Sequence, residues 1–466
     1  MMKFIGIFIG KHLMFPKIIS LLFVLSLPFT LINAQTFTWN GTTSTAWNVN
    51  TNWTPIGIPG AGNTVVINNG AVPNICVLDA NRTIATLQVS AGTIDLGGFL
   101  LTTSTAVNFT GGTVQNGSIS TTTITAISAT TFNGTFSLTK TGGGDNPLAG
   151  GNTFNGPTTF TNADNNYILF SNSTGDTYNN TVVYNCTSSG RMYISYNATT
   201  TFSSDITVNN SGNGGVSFGE SSGISNQLAG NLLTTGFTAG SFVLNRFTQS
   251  TGSVNGTFNP TSFSSTNTTL LGDFSVITSS GDIIITNGSF TGAATFIAAG
   301  NNTATGTCNF STTSGSAVIT KNGGGDNNWT GTMAFGPVVF TNTDNNYLAL
   351  ANSGASIFTF LGSSAFNNTS SGRLYINHQG GTHTFAGNIT MNNSGSGGME
   401  FGGAGGVSTQ SAGSLLTTGF SNGSMVLNRL TQNAASTNGA FTPTSFTTTN
   451  TTLLGDFSVT TSSGDI

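Results

Sequence analysis

Residues 131–210 read TFNGTFSLTKTGGGDNPLAGGNTFNGPTTFTNADNNYILFSNSTGDTYNNTVVYNCTSSGRMYISYNATTTFSSDITVNN. Phe132, Phe154, Tyr178 and Phe202 stand there in similar settings at nearly even intervals. Each opens a short run of alternating apolar and polar residues, such as TTFTN around Phe160, TVVYN around Tyr184 and DITVN around Val208, with VVFTN around Phe340 further on. Alternation with period two, closed by Asn or Gly, is the pattern of a strand with one face buried. A period in the low twenties holding several such strands predicts a parallel β-helix or β-solenoid, in which each coil hydrogen-bonds to the next and like residues stack. Inward Phe and Tyr would form the core, and the Asn residues ending the strands would take the left-handed conformations that corners need. Tandem antiparallel β-sandwich domains are the alternative, since strand spacings of about 8 to 12 residues fit either architecture.

Outward from this stretch, a longer repeat emerges. Leu232 to Ile283 returns almost verbatim at Leu415 to Ile466. Upstream, the segment TGGGDN after Lys140 returns as NGGGDN after Lys321, TNADNNY ending at Tyr167 returns ending at Tyr347, and SSGRMYI returns as SSGRLYI. The chain therefore divides into a leader at 1–34, a Trp-rich N-terminal cap with first strands at 35–99, one long repeat at 100–282 and a second at 283–466. Ile466 matches Ile283, so the second repeat is expected to be truncated.

Composition agrees with an all-β chain outside the cytosol. Only 5% of residues are charged, while 63 Gly and 35 Phe are present. Scarce Lys and Glu with abundant Thr, Val and Phe tilt local preference from helix to strand. Lys3, Lys11 and Lys17 precede an apolar run from Ile18 to Ile32 and the small residue Ala34, which reads as a secretory signal. No membrane span is expected in the mature chain, because that run is short and holds Pro28. Losing the leader removes three of ten basic residues and no acid, leaving 7 − 14 = −7, a balance against nucleic-acid partners. Cys76, Cys186 and Cys308 are odd in number and unlike in context, so we read them as small buried hydrophobes rather than a disulfide or metal set.

The segment WNGTTSTAWNVNTNWTPIGIPGAGNTVVINNG, from Trp39 to Gly70, holds three of the four tryptophans. Bulky rings near a terminus suit closure of the first coil better than a sugar-binding platform, and Pro55 and Pro59 would block strand addition there. The same segment resembles the opening of large repetitive exported surface proteins of Gram-negative bacteria that carry autotransporter-like β-strand repeats, several of them in the type IX secretion class. That resemblance implies a secreted or outer-membrane-attached, adhesin-like role. It implies attachment to cells, glycans or solid surfaces through many weak contacts.

Candidate chemistry is sparse. GGGDN places Asp145 and Asp326 in Gly-rich turns, where calcium is the one ion to consider, although one carboxylate per loop falls short of its usual ligand set. No other cofactor is expected. Lys140, Asp145, Asp164, Arg191, Arg246, Asp273 and Asp282 recur as Lys321, Asp326, Asp344, Arg373, Arg429, Asp456 and Asp465. Such duplication suggests turn acceptors and edge charges that solubilise a stack, not a single catalytic centre. His378 and His383 occur only in the second repeat, in a Gly-rich turn, and read as solvated loop residues. The expectation is a non-enzymatic protein. Two alternatives are an ice-binding solenoid, which the Thr runs at 121–123 and 447–452 suggest, and a non-catalytic spacer of a larger exported polysaccharide-active enzyme.

Overall fold

A computed structural model describes residues 34–251, 254–311, 315–434, 437–464 and 466. The expected leader falls outside these residues except for Ala34, and so does Asp465. The chain forms a parallel β-solenoid of about 18 coils. An antiparallel contact, Thr38 with Thr54 and Trp39 with Trp53, opens the stack. From Thr36–Trp39 against Thr64–Asn68 onward, coil pairs with coil in parallel, which excludes the tandem-sandwich alternative. Among the described residues, no helix is long and apolar enough to cross a membrane.

A coil has three faces, as one example shows. Thr153–Phe154 lies on face 1, Thr158–Asn162 on face 2 and Ile168–Leu169 on face 3. Face 3 then hands the chain back to face 1 through a left-handed residue in successive coils: Ser171 (φ 56°), Ser195 (φ 52°), Gly219 (φ 61°) and Arg246 (φ 51°). Only Gly219 lacks room for a side chain at that corner, since a Cβ there would meet the Asn245 carbonyl oxygen at 2.1 Å. Corners also absorb differences in coil length. The coil from Thr201 to Asn226 is longer than the one from Thr269 to Ser289, yet face 1 keeps its register through both. Eight steps along face 1 carry Asn226 to Thr409, the same offset that carries Leu232 to Leu415, so one long repeat is eight coils. Parallel pairing passes unbroken from Phe263 through Ile283 to Asn302, across the junction of the two repeats.

The core is a column of rings. Phe132, Phe154, Tyr178 and Phe202 lie in register on face 1. Their ring centroids are 4.6, 4.4 and 5.0 Å apart and the rings are nearly parallel. The second repeat rebuilds this column with Phe310, Phe335, Phe360 and Phe385. Each ring contributes about 1.5–3 kcal/mol by leaving water, and each stacked pair roughly 0.5–1.5 kcal/mol more. The column ends in polar rungs, where Gln227 and Gln249, then Gln410 and Gln432, take the same inward row. Their amides satisfy one another at 2.8 Å.

Strand-ending asparagines depart from the sequence reading. Asn162 and Asn342 are fully buried and face inward, not left-handed. Their amides donate to the Asn166 and Asn346 carbonyls at 2.9 and 3.1 Å and so staple the loop that follows each strand. Left-handed Asn does occur, at Asn116, Asn267, Asn287, Asn377 and Asn450, most of them at corners that follow face 3.

Candidate functional site

Outward positions on faces 1 and 2 carry mostly Thr, Ser and Asn. Face 3 is different. Alternation puts Met192 and Ile194 inside and so turns Arg191 and Tyr193 outward. Tyr193 pairs with Leu169 in the coil before it and Ser217 in the coil after. Tyr167 and Tyr196 join it edge to face, at 5.6 and 5.7 Å, and the Arg191 guanidinium lies 5.4 Å from the Tyr193 ring centre. Leu169 points outward by register beside Tyr193, yet is buried.

Eight coils on, the second repeat rebuilds this station. Tyr347 and Tyr375 lie 5.6 Å apart, Arg373 is 5.8 Å from the Tyr375 ring, and His378 replaces Tyr196, at 4.1 Å from Tyr375. Five of the seven tyrosines thus sit half in solvent in two equivalent places. At a strand spacing of about 4.8 Å, eight coils separate the stations by roughly 38 Å. Burial of the rings, with Asp145 or Asp326 nearby, raises the Tyr167 and Tyr347 phenols above their usual range, so both remain hydrogen-bond donors.

The stations differ electrostatically. Arg373 donates to Glu400 Oε2 at 2.8 Å, to the Gly397 carbonyl at 3.2 Å and to Ser424 Oγ at 2.7 Å. Arg191 donates to Ser241 Oγ, while its Nε is buried without a partner. Ser217, which occupies the place of Glu400, is also buried with an unpaired hydroxyl.

The candidates named from sequence fall as follows. Asp145 and Asp326 accept the Tyr167 and Tyr347 backbone N–H groups at 3.1 and 3.2 Å, as turn acceptors between coils. The coils do bring the neighbouring loop close, since Asn166 donates to the Gly143 carbonyl at 2.6 Å. However, Asp164 and Asp344 are engaged by Lys140 and Lys321. Those lysines are not edge charges: both are fully buried inside the coil, in the row that otherwise holds Asn162 and Asn342. Arg246 and Arg429 clamp corner carbonyls of the preceding coil, including Gly219 and Gly402. Cys76, Cys186 and Cys308 are buried free thiols. Trp47 and Trp53 are buried and packed edge to face at 4.8 Å, with no ring face open to solvent.

His383 also overturns its sequence reading. Rather than a solvated loop residue, it is an inward residue of strand Thr382–Phe385, fully buried and stacked at 4.8 Å on Phe358. Both ring nitrogens lack partners, and burial lowers its pKa from 6.5 to about 3. An unfolded chain takes up this proton near pH 6.5 and the folded one only near pH 3, so acid between those values favours unfolding. At pH 5 the penalty is roughly 2 kcal/mol. His383→Leu is therefore expected to stabilise the second repeat, most of all below pH 6. Urea titrations at pH 5 and pH 7.5 check this: an equal effect at the two pH values would contradict it.

Sequence reading takes SSGRMYI as a repeat marker and counts Arg191 and Arg373 among the turn acceptors and edge charges, and so misses the Tyr–Arg stations. The signal was available: in R-x-Y, period-two alternation turns both polar side chains to the same side, opposite two inward apolar residues. Comparison of the chain with protein-family models, with curated proteins and with solved structures finds no match.

Proposed function

We propose that the chain is a secreted or cell-surface structural protein of adhesin-like character, binding glycans on cells or solid surfaces and not acting as an enzyme. The observation that carries this reading is the recurrence of a half-exposed Tyr–Arg station eight coils apart on one face. Tyrosine rings with wet hydroxyls offer an apolar face and a polar tip, which suits sugar rings at little entropic cost. Two weak stations on one rigid rod gain from avidity, by about 10²-fold or more where one polymer engages both. The test is adsorption of the chain from Gln35 onward to immobilised polysaccharide. Tyr193→Ala or Tyr375→Ala alone is expected to lower apparent affinity by about 10²-fold, with little change in melting temperature. Undiminished adsorption of the double variant, or release of reducing sugar by the native chain, would sink the proposal.

A second reading, ice binding, is favoured by the outward row on face 1. Thr131, Thr153, Thr177 and Thr201 stand in register there despite unequal coil lengths. The row is a single one: the next outward rank holds Asn133, Asn155 and Asn179, whose amides bond along the stack at 2.8 Å. Thermal hysteresis in the native chain that vanishes in Thr153→Tyr would favour this reading over adhesion.

A further inference from the structure

The two stations are equivalent in backbone but not in the groups left unpaired, and that difference bears on which glycan each accepts. We propose that the first-repeat station, formed by Tyr167, Arg191, Tyr193 and Tyr196, takes the carboxylate-bearing sugars of an acidic polysaccharide, and that Glu400 closes the second station to them. This rests on the glycan reading above.

Tyr193 pairs with Ser217, and Tyr375 with Glu400, so Ser217 and Glu400 occupy one position of the repeat. In the second repeat, Glu400 is itself a carboxylate on the guanidinium, at 2.8 Å, and Gly397 and Ser424 occupy further donors of Arg373. In the first repeat no ion pair to Arg191 is present among the described residues, its Nε is buried without a partner, and the adjacent Ser217 hydroxyl is likewise orphaned. Buried polar atoms normally find partners, so two unpaired atoms on adjacent coils of one face mark a place for a polar group from outside. A guanidinium with an uncommitted edge matches a planar carboxylate, and charge-assisted bonds of this kind are roughly twice as strong as neutral ones. The flanking Tyr rings would stack on the sugar that carries the carboxylate.

Other acids bear on the balance. Asp145 lies two coils before Arg191 in the stack, and Asp326 holds the same place before Arg373, so they cancel from the comparison. Glu220 is exposed on the corner after Ser217, where the second repeat has Gly403. It forms no ion pair with Arg191 and would weaken anion binding without blocking it. The chain's net negative charge acts weakly beyond about 8 Å at physiological ionic strength, which leaves the choice to these local groups.

The experiment compares binding of polygalacturonate and of a neutral galactan, each cut to fragments shorter than the roughly 38 Å between the stations so that avidity is excluded, to the chain from Gln35 onward. The native chain is expected to prefer the acidic polymer by about tenfold, with the preference shrinking as NaCl rises. Ser217→Glu should abolish that preference while neutral binding persists, Arg191→Gln should abolish it as well, and Glu220→Gly should enlarge it. Glu400→Ser should add a second acidic station. Because Glu is native at position 400, Ser217→Glu is accommodated by the repeat, and an unchanged melting temperature confirms it. A preference that survives Ser217→Glu and Arg191→Gln, or equal binding of both polymers by the native chain, would overturn the proposal with the glycan reading intact. Failure to bind either polymer would remove the glycan reading and this proposal together.

Discussion

Replacing Asp164 with alanine is expected to cost about 3–5 kcal/mol of stability in the first repeat, the cost of leaving a buried charge without its partner. The Lys140 side chain is 0% exposed and that of Asp164 13%, so the ammonium left behind has no water to turn to. Lys140→Met is expected to cost less, because Asp164 keeps partial access to solvent and its hydrogen bonds from the Asn166 amide and N–H. Changing both, Lys140→Met with Asp164→Asn, should recover most of the loss, since a buried ion pair is often no more stabilising than an uncharged pair of similar size. The pair Lys321–Asp344 predicts the same pattern in the second repeat. Acid gives an independent readout. Partial burial alone would raise the Asp164 carboxyl, but hydrogen bonds from Lys140 and Asn166 and the Lys140 charge outweigh it and hold the group below its ordinary 3.8. A depressed folded-state pKa means stability that is fully present above about pH 4 and lost as pH falls through the lower value. Urea unfolding from pH 2 to pH 6 should therefore show acid lability in the native chain and less of it in the double variant. If Asp164→Ala unfolds like the native chain, the lysine finds other compensation and this account of the corner is wrong.

That corner also shows what sequence can and cannot disclose. The ring column was legible because a period in the low twenties is a direct trace of coil stacking, and Phe132, Phe154, Tyr178 and Phe202 indeed lie one above another. Lys140 was not. As the last residue of Thr131–Lys140 it reads as the edge of a strand, where a cation belongs in water, yet period-two alternation from Phe136 and Leu138 already assigned it inward. The strand pattern was right and the residue type overruled it. His383 fails in the opposite direction: glycines around it suggested a loop, while its place two residues before Phe385 fixed it inside. The stations on face 3 needed three dimensions, because Tyr167, Tyr193 and Ser241 belong to different coils and meet only through stacking. What separates the stations, Ser217 against Glu400, is invisible until register equates the two positions.

The second large effect concerns the column. Phe154→Ala is expected to destabilise the chain by about 3–5 kcal/mol through lost burial and the cavity left behind. Phe154 is sandwiched between Phe132 at 4.6 Å and Tyr178 at 4.4 Å, with Phe160 edge-on at 5.5 Å, so three rings border the void. The surrounding coils cannot collapse into it, because backbone ladders on face 1 and face 2 fix their spacing at about 4.8 Å. In a stack where each coil touches only its neighbours, the damage should stay local. Hydrogen exchange should speed up in the coils spanning Thr131–Lys140 and Thr158–Asn162 and remain unchanged in the second repeat. Phe335→Ala, at the matching rung between Phe310 and Phe360, should give a similar loss confined to the second repeat. Phe154→Leu should recover roughly half of the loss by refilling part of the volume. Exchange that accelerates evenly along the whole chain would mean that the two repeats unfold as one unit. The column would then be a single cooperative core and not a series of nearest-neighbour contacts.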